Sequence, residues 1–125
     1  MSAVVVWMDS EHAKLFHVTT AGVKKTELKK HGAKHSNSHQ DGHHHKQEEQ
    51  FFHEVAQAAG APEEFLVFGP GMAKTHFKTH LEKHNHKKLM GHLVGVETLE
   101  AMTDNQILDA ARKYFKKYNQ FNSSI

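Results

Sequence analysis

Histidine supplies 14 of the 125 residues, and six of those histidines fall within "KKHGAKHSNSHQDGHHHKQEEQ" (29–50). His31, His35, His39 and His43 recur at every fourth position, and His44 and His45 follow directly. Neutral imidazole is a nitrogen ligand for zinc or nickel, and a set made only of histidines can hold zinc. The same ring binds phosphate when protonated and stacks on unpaired bases. The stretch therefore allows two chemistries. One is a metal centre drawn from His31, His35, His39, His43, His44 and His45; the other is a grip on nucleic acid. A four-residue period would align the rings on one face of a helix. Gly32, Ser36, Asn37, Ser38 and Gly42 oppose that helix and predict a flexible loop over 31–46. Ordering such a loop around an ion costs roughly 1–2 kcal/mol per residue, which weighs against a dedicated zinc site there.

Lysine tips the balance. Lys24, Lys25, Lys29, Lys30, Lys34 and Lys46 precede or interleave with these histidines, against only Glu27 and Asp41. Lysines neutralise phosphates, and with His31 and His35 they make a basic arm suited to RNA. The net charge of the whole chain is only +2, so this basicity is local. Arg112 is the single arginine, which nearly removes bidentate recognition of phosphate or guanine. Cysteine is absent, excluding disulfides, thiolate catalysis and every Cys-containing zinc site. The apolar run near the N-terminus is too short for a signal peptide or membrane span, which predicts a cytoplasmic protein.

The elements that must position these residues are legible in outline. "AVVVWM" (3–8) is a continuous β-branched run, the pattern of a strand buried on both faces. "HAKLFHVTT" (12–20) alternates, and the lysine-rich "VKKTELKK" (23–30) suits an exposed edge strand. A helix is predicted from about Gln47 to Ala59, with Phe51, Phe52, Val55 and Ala59 inward and Gly60 ending it. "EEFLVFG" (63–69) reads as a second buried strand. A Pro70-started helix follows, with Ala73, Phe77 and Leu81 inward. "LMGHLVGVE" (89–97) supplies a third buried strand. Thr103 and Gln106 form a capping box before a last helix carrying Leu108, Ala111, Phe115 and Tyr118. The order β-β-β-α-β-α-β-α predicts one α/β domain over residues 1–120, a mixed five-stranded sheet of the ribonuclease-H-like kind. Residues 121–125 read as a frayed end.

Other constellations have plainer explanations. His76, His80 and His84 share one helix face but lack the HExxH pattern, and read as a polar surface. His12, His17, His53 and His92 lie beside apolar segments and read as structural. "GPG" (69–71) with Lys74 could offer a helix N-terminus to an anion, yet it is an ordinary strand-to-helix turn. The fold raises a nuclease reading through Asp9 with Glu48, Glu49 or Asp109, but a "DSE" turn explains Asp9 without metal. Phe115, Tyr118 and Phe121 alternate with lysines as an amphipathic last helix requires.

Three stretches together carry a resemblance. "VVVWMDSEHAKLFHV" (4–18) resembles the first hairpin of the middle domain of archaeal and eukaryotic class-I release factors and of Pelota. It is also similar to that hairpin in small bacterial relatives labelled translational machinery or host-attachment proteins. "KKHG" at Lys29–Gly32 resembles the approach to the loop that carries Gly-Gly-Gln in release factors. "VGVETLEAMTDNQILDAARKYF" (94–115) looks like the closing strand and helix of the bacterial group. The resemblance implies the same α/β fold and a ribosome or RNA partner met by the Lys/His loop. Gly-Gly-Gln itself is absent, so peptide release by that route does not carry over, and neither do the functions of the families' flanking domains. The expectation is a translation-associated protein without catalysis and without a membrane partner. The alternative is a histidine-rich metal binder.

Overall fold

The computed structural model describes residues 2–31, 41–84 and 86–123, and the side chains within those ranges other than those of 41–45, 87, 88 and 120–123. Among the described residues, five strands and four helices follow one another. They are β1 (Ala3–Met8), β2 (His12–Thr19), β3 (Gly22–Lys29), α1 (Asp41–Ala59), β4 (Glu64–Gly69), α2 (Ala73–Lys83), α3 (Lys87–His92), β5 (Leu93–Thr98) and α4 (Asp104–Ser123). The sheet runs β3-β2-β1-β4-β5. The first three strands form an antiparallel meander, and β4 joins β1 in parallel, with Val4 beside Phe65 and Trp7 beside Phe68. β5 extends the sheet in parallel beyond β4. This is the expected α/β architecture with a mixed five-stranded sheet, and one short helix is added. No helix among the described residues is long and apolar enough to cross a membrane.

Strand alternation sorts the apolar side chains into two cores. Val4, Val6 and Met8 of β1 meet Phe65 and Val67 of β4, together with Phe51, Phe52 and Val55 of α1, Phe77 and Leu81 of α2, and Leu89 of α3. Val5, Trp7, Leu66 and Phe68 point the other way, onto Ile107 and Ala111 of α4. The continuous apolar runs in β1 and β4 are thereby explained: both faces are covered. Trp7 also donates its indole N–H to the carbonyl of Leu99 at 3.0 Å, pinning the connection between β5 and α4.

The ends of the elements follow local chemistry. Gly60 sits at φ +72° and donates its N–H to Ala56 at 3.3 Å, the left-handed cap that closes α1. The capping box at α4 is formed in both directions. Thr103 N–H reaches Gln106 Oε1 at 3.0 Å, and Gln106 N–H reaches Thr103 Oγ1 at 3.2 Å.

Several boundaries differ from expectation. α1 begins at Asp41 rather than near Gln47, so residues 41–46 are helical and not loop. Its well-packed C-terminal half nucleates the helix, and propagation then carries it through residues of low intrinsic signal. α2 starts at Ala73, three residues after Pro70. Residues 89–92 belong to α3, and β5 is a half-buried edge strand rather than a buried one. α4 continues to Ser123; the predicted Ala111 is buried with Ile107, Leu108 and Phe115 pack beside them with Tyr114, and the predicted Tyr118 is exposed.

β4 leaves the sheet at a tight point. A Cβ on Gly69 would collide with the backbone carbonyl of Met8, which cannot swing aside as a side-chain tip can. Gly69→Ala is expected to destabilise the fold by about 1–3 kcal/mol, the cost of forcing strands apart. Gly71→Ala meets open space and is expected to stay within about 0.5 kcal/mol of the parent. Urea unfolding of the two variants measures the contrast.

Candidate functional site

Two regions gather the residues that could do chemistry. The first is the basic sheet edge, where β3 lies outermost, as its lysines lead one to expect. Alternation divides those lysines between the two faces of the sheet. Lys25 turns toward α4 and donates to Asp104 Oδ2 at 2.6 Å, while Lys14 of β2 reaches Asp104 Oδ1 at 3.3 Å. Lys24 and Lys29 are exposed. Lys30, expected on the exposed arm, is instead buried, and its backbone N–H donates to the Glu11 carbonyl at 2.7 Å. His31 is exposed and places Nε2 3.4 Å from Glu54 Oε2 on α1, and Lys46 is exposed on the same helix. Lys34, His35 and His39 lie outside the described residues, as do the side chains of His43, His44 and His45 in the first turns of α1. Six lysines thus do not form one described patch: Lys24 and Lys29 are exposed on opposite faces of β3, and His31 and Lys46 are exposed beside and on α1.

The second region was not anticipated as a unit. His80, read as part of a polar helix face, is only 7% exposed. Its ring packs edge-on against Phe52, with centroids 5.6 Å apart. The ring centroids of His84 and His86 lie 4.4 and 5.7 Å from that of His80, and those of His53 and His86 are 6.0 Å apart. These rings and Glu49 border an open cleft of about 450 Å³. Burial, then the neighbouring His84 and His86, pushes His80 down to about 4. Burial, then His53 and His84, also lowers His86. A partial signal for His80 existed in the sequence: it stands three residues after the inward Phe77, on a neighbouring position of the helix surface. Nothing comparable marked His86, which the turn after α2 brings back by a bond from its N–H to the Leu81 carbonyl at 3.1 Å.

The remaining candidates are occupied structurally. Asp9 Oδ1 accepts the N–H groups of Glu11 at 2.8 Å and His12 at 2.7 Å, a side-chain-closed turn. Asp109 pairs with Lys113 at 3.2 Å on α4, across the sheet from Glu48 and Glu49 on α1. Among the described residues no set of carboxylates converges as a two-metal nuclease requires. Lys74 is buried and donates its ammonium to the Gly71 carbonyl, so it does not present a free charge to an anion. His92 bonds the Glu63 carbonyl at 2.8 Å, in keeping with a structural role.

No protein-family model matches the sequence, and no curated protein aligns with it. Solved structures do match its fold. Archaeoglobus fulgidus Pelota superposes with a TM-score of 0.65 at 17% identity, over 98% of this chain and 35% of its own. The archaeal translation termination factor aRF1 gives 0.60 at 14% identity, covering 98% of this chain and 41% of its own. Dom34 of S. cerevisiae, described as a translation termination-like factor involved in RNA quality control pathways, gives 0.60 at 13%, covering 98% and 36%. The fold is therefore that of the release-factor and Pelota middle domain. The chain spans 35–41% of the length of these proteins.

The Asp104 carboxylate ties the basic edge to α4. Its hydrogen bond from Lys25, then that from Lys14, holds Asp104 below the usual carboxylate range, and the same contact raises Lys25. A carboxylate lowered in the folded state adds stability that is complete above about pH 4 and is lost as pH falls through the folded value. Asp104→Asn is expected to be less stable than the parent at pH 7, with the gap narrowing below about pH 4. Parallel urea titrations between pH 7 and pH 3 test this.

Proposed function

We propose that this chain acts on the translation apparatus as a non-catalytic module that contacts ribosomal or transfer RNA through the basic edge. The observation that carries the reading is the fold match over nearly the whole chain to Pelota, to a termination factor and to a termination-like factor. The segment that joins β3 to α1 corresponds in sequence position to the Gly-Gly-Gln loop of release factors. Here it reads "GAKHSNSHQ" (32–40), with Lys34, His35 and His39 in place of that tripeptide. Lys24, Lys29, His31 and Lys46 flank it on the described side. Point-charge contacts from lysine give affinity that falls steeply with salt and reads little sequence. That character suits a module positioned by its surroundings rather than by a base code.

Co-sedimentation with ribosomes across a salt series tests the reading. The parent chain is expected to pellet at low salt and to be released as salt rises. Replacing residues 33–40 with a Gly/Ser linker spares α1, and together with Lys24→Gln and Lys29→Gln it is expected to abolish pelleting. Absence of binding by the parent chain at low salt would overturn the proposal.

A further inference from the structure

His53, His80 and His86 each offer a ring nitrogen, and these nitrogens all lie within 4.8 Å of one another. They arrive from three elements: α1, the last turn of α2, and the residue that precedes α3. His80 gives the cluster its direction. It is buried, and its Nε2 has no hydrogen-bond partner among the described residues. A buried polar atom is costly to the fold unless something binds it. The edge-on contact with Phe52 holds the ring in place, and no protein group among the described residues hydrogen-bonds that nitrogen.

We propose that His53, His80 and His86 form a binding site for a divalent transition-metal ion of the zinc class. Imidazole nitrogens select zinc and its neighbours in the first transition row over magnesium and calcium, which require oxygen ligands. Each ring binds such an ion through the lone pair of its neutral form. A tetrahedral zinc ion with bonds of about 2.0–2.1 Å separates its nitrogen ligands by about 3.4 Å. The rings must therefore close by up to about 1.4 Å per pair. His53 is exposed and His86 half-buried, so their rotamers are free to do this around a fixed His80. Water or the Glu49 carboxylate, which borders the same cleft, supplies the fourth position. The C-terminal carbonyls of α2 add partial negative charge on the side of His80 and His84. Such an ion would clasp α1 to the turn between α2 and α3 and would bind only the folded chain.

A histidine-rich segment such as 31–45 would add adventitious zinc binding to any measurement. The test therefore uses the full chain with His31, His35, His39, His43, His44 and His45 all replaced by glutamine. Zinc calorimetry on this chain is expected to show one equivalent bound. Cobalt(II) should give the intense visible bands of a tetrahedral site, and zinc should raise the melting temperature. In the same background His53→Ala and His86→Ala are each expected to weaken zinc binding by at least about tenfold with an unchanged circular dichroism spectrum. His80→Phe keeps an aromatic ring against Phe52 and is expected to lose the cobalt bands while remaining folded. A glutamine-substituted chain that binds no stoichiometric zinc would overturn the site. So would binding that survives His53→Ala and His86→Ala unchanged.

Discussion

β1 and β4 have no polar face. Val4, Val5, Val6 and Met8 on one strand, and Phe65 through Phe68 on the other, are each less than 4% exposed. A parallel pair of this composition is stable in water only when both sides are roofed. Each additional element in the chain can be understood as meeting that demand. α1, α2 and α3 roof one side, α4 roofs the other, and the meander through β2 and β3 finishes the sheet with strands that grade from buried to polar. The burial of Phe16 beneath Trp7 and Ile107 shows the grading at work. One residue across the ladder, Lys25 is already at the surface and held by Asp104.

The same demand places the chemistry. Roofing one face with two helices from different parts of the chain brings His53 and His80 together, although 27 residues of sequence separate them. Phe52 and Phe77 press the two helices onto one core, with ring centroids 5.7 Å apart, and the adjacent histidines meet as a result. The basic edge arises differently. It is the strand farthest from the double-sided core, where lysine carries the least burial penalty and prevents further strands from adding.

How far the sequence reveals this depends on range. The uniform apolar runs of β1 and β4, the alternation of β2, the cap at Gly60 and the box at Thr103–Gln106 all act within a few residues, and each is legible from spacing. The topology was legible through the order of those elements. The N-terminal turns of α1 were not, because Gly42 and three histidines give a loop-like composition, and the helix there is an extension of a packed segment downstream. α3, six residues long, gives too little periodicity to notice. The histidine cluster needed the fold. His80 lay in a polar i, i+4, i+8 series, and only the approach of α1 makes it a buried ring with neighbours. The lysines of β3 show the converse case. Composition gathers them, but pleating sends Lys24 and Lys25 to opposite faces.

The parallel pairing of β1 with β4 has a consequence for how the chain finds its fold. Val4 lies opposite Phe65, so closing that ladder encloses about 60 residues, whereas the β1–β2–β3 meander uses turns of a few residues. Local hairpins form within microseconds, and the long closure has to wait for them and for α1. Because closure entropy grows only with the logarithm of loop length, each doubling costs about 0.6 kcal/mol. A few residues gained or lost between β3 and α1 change that term by less than a tenth of this amount. The length of the Lys/His segment is thus nearly invisible to folding, and stability leaves selection free to vary it.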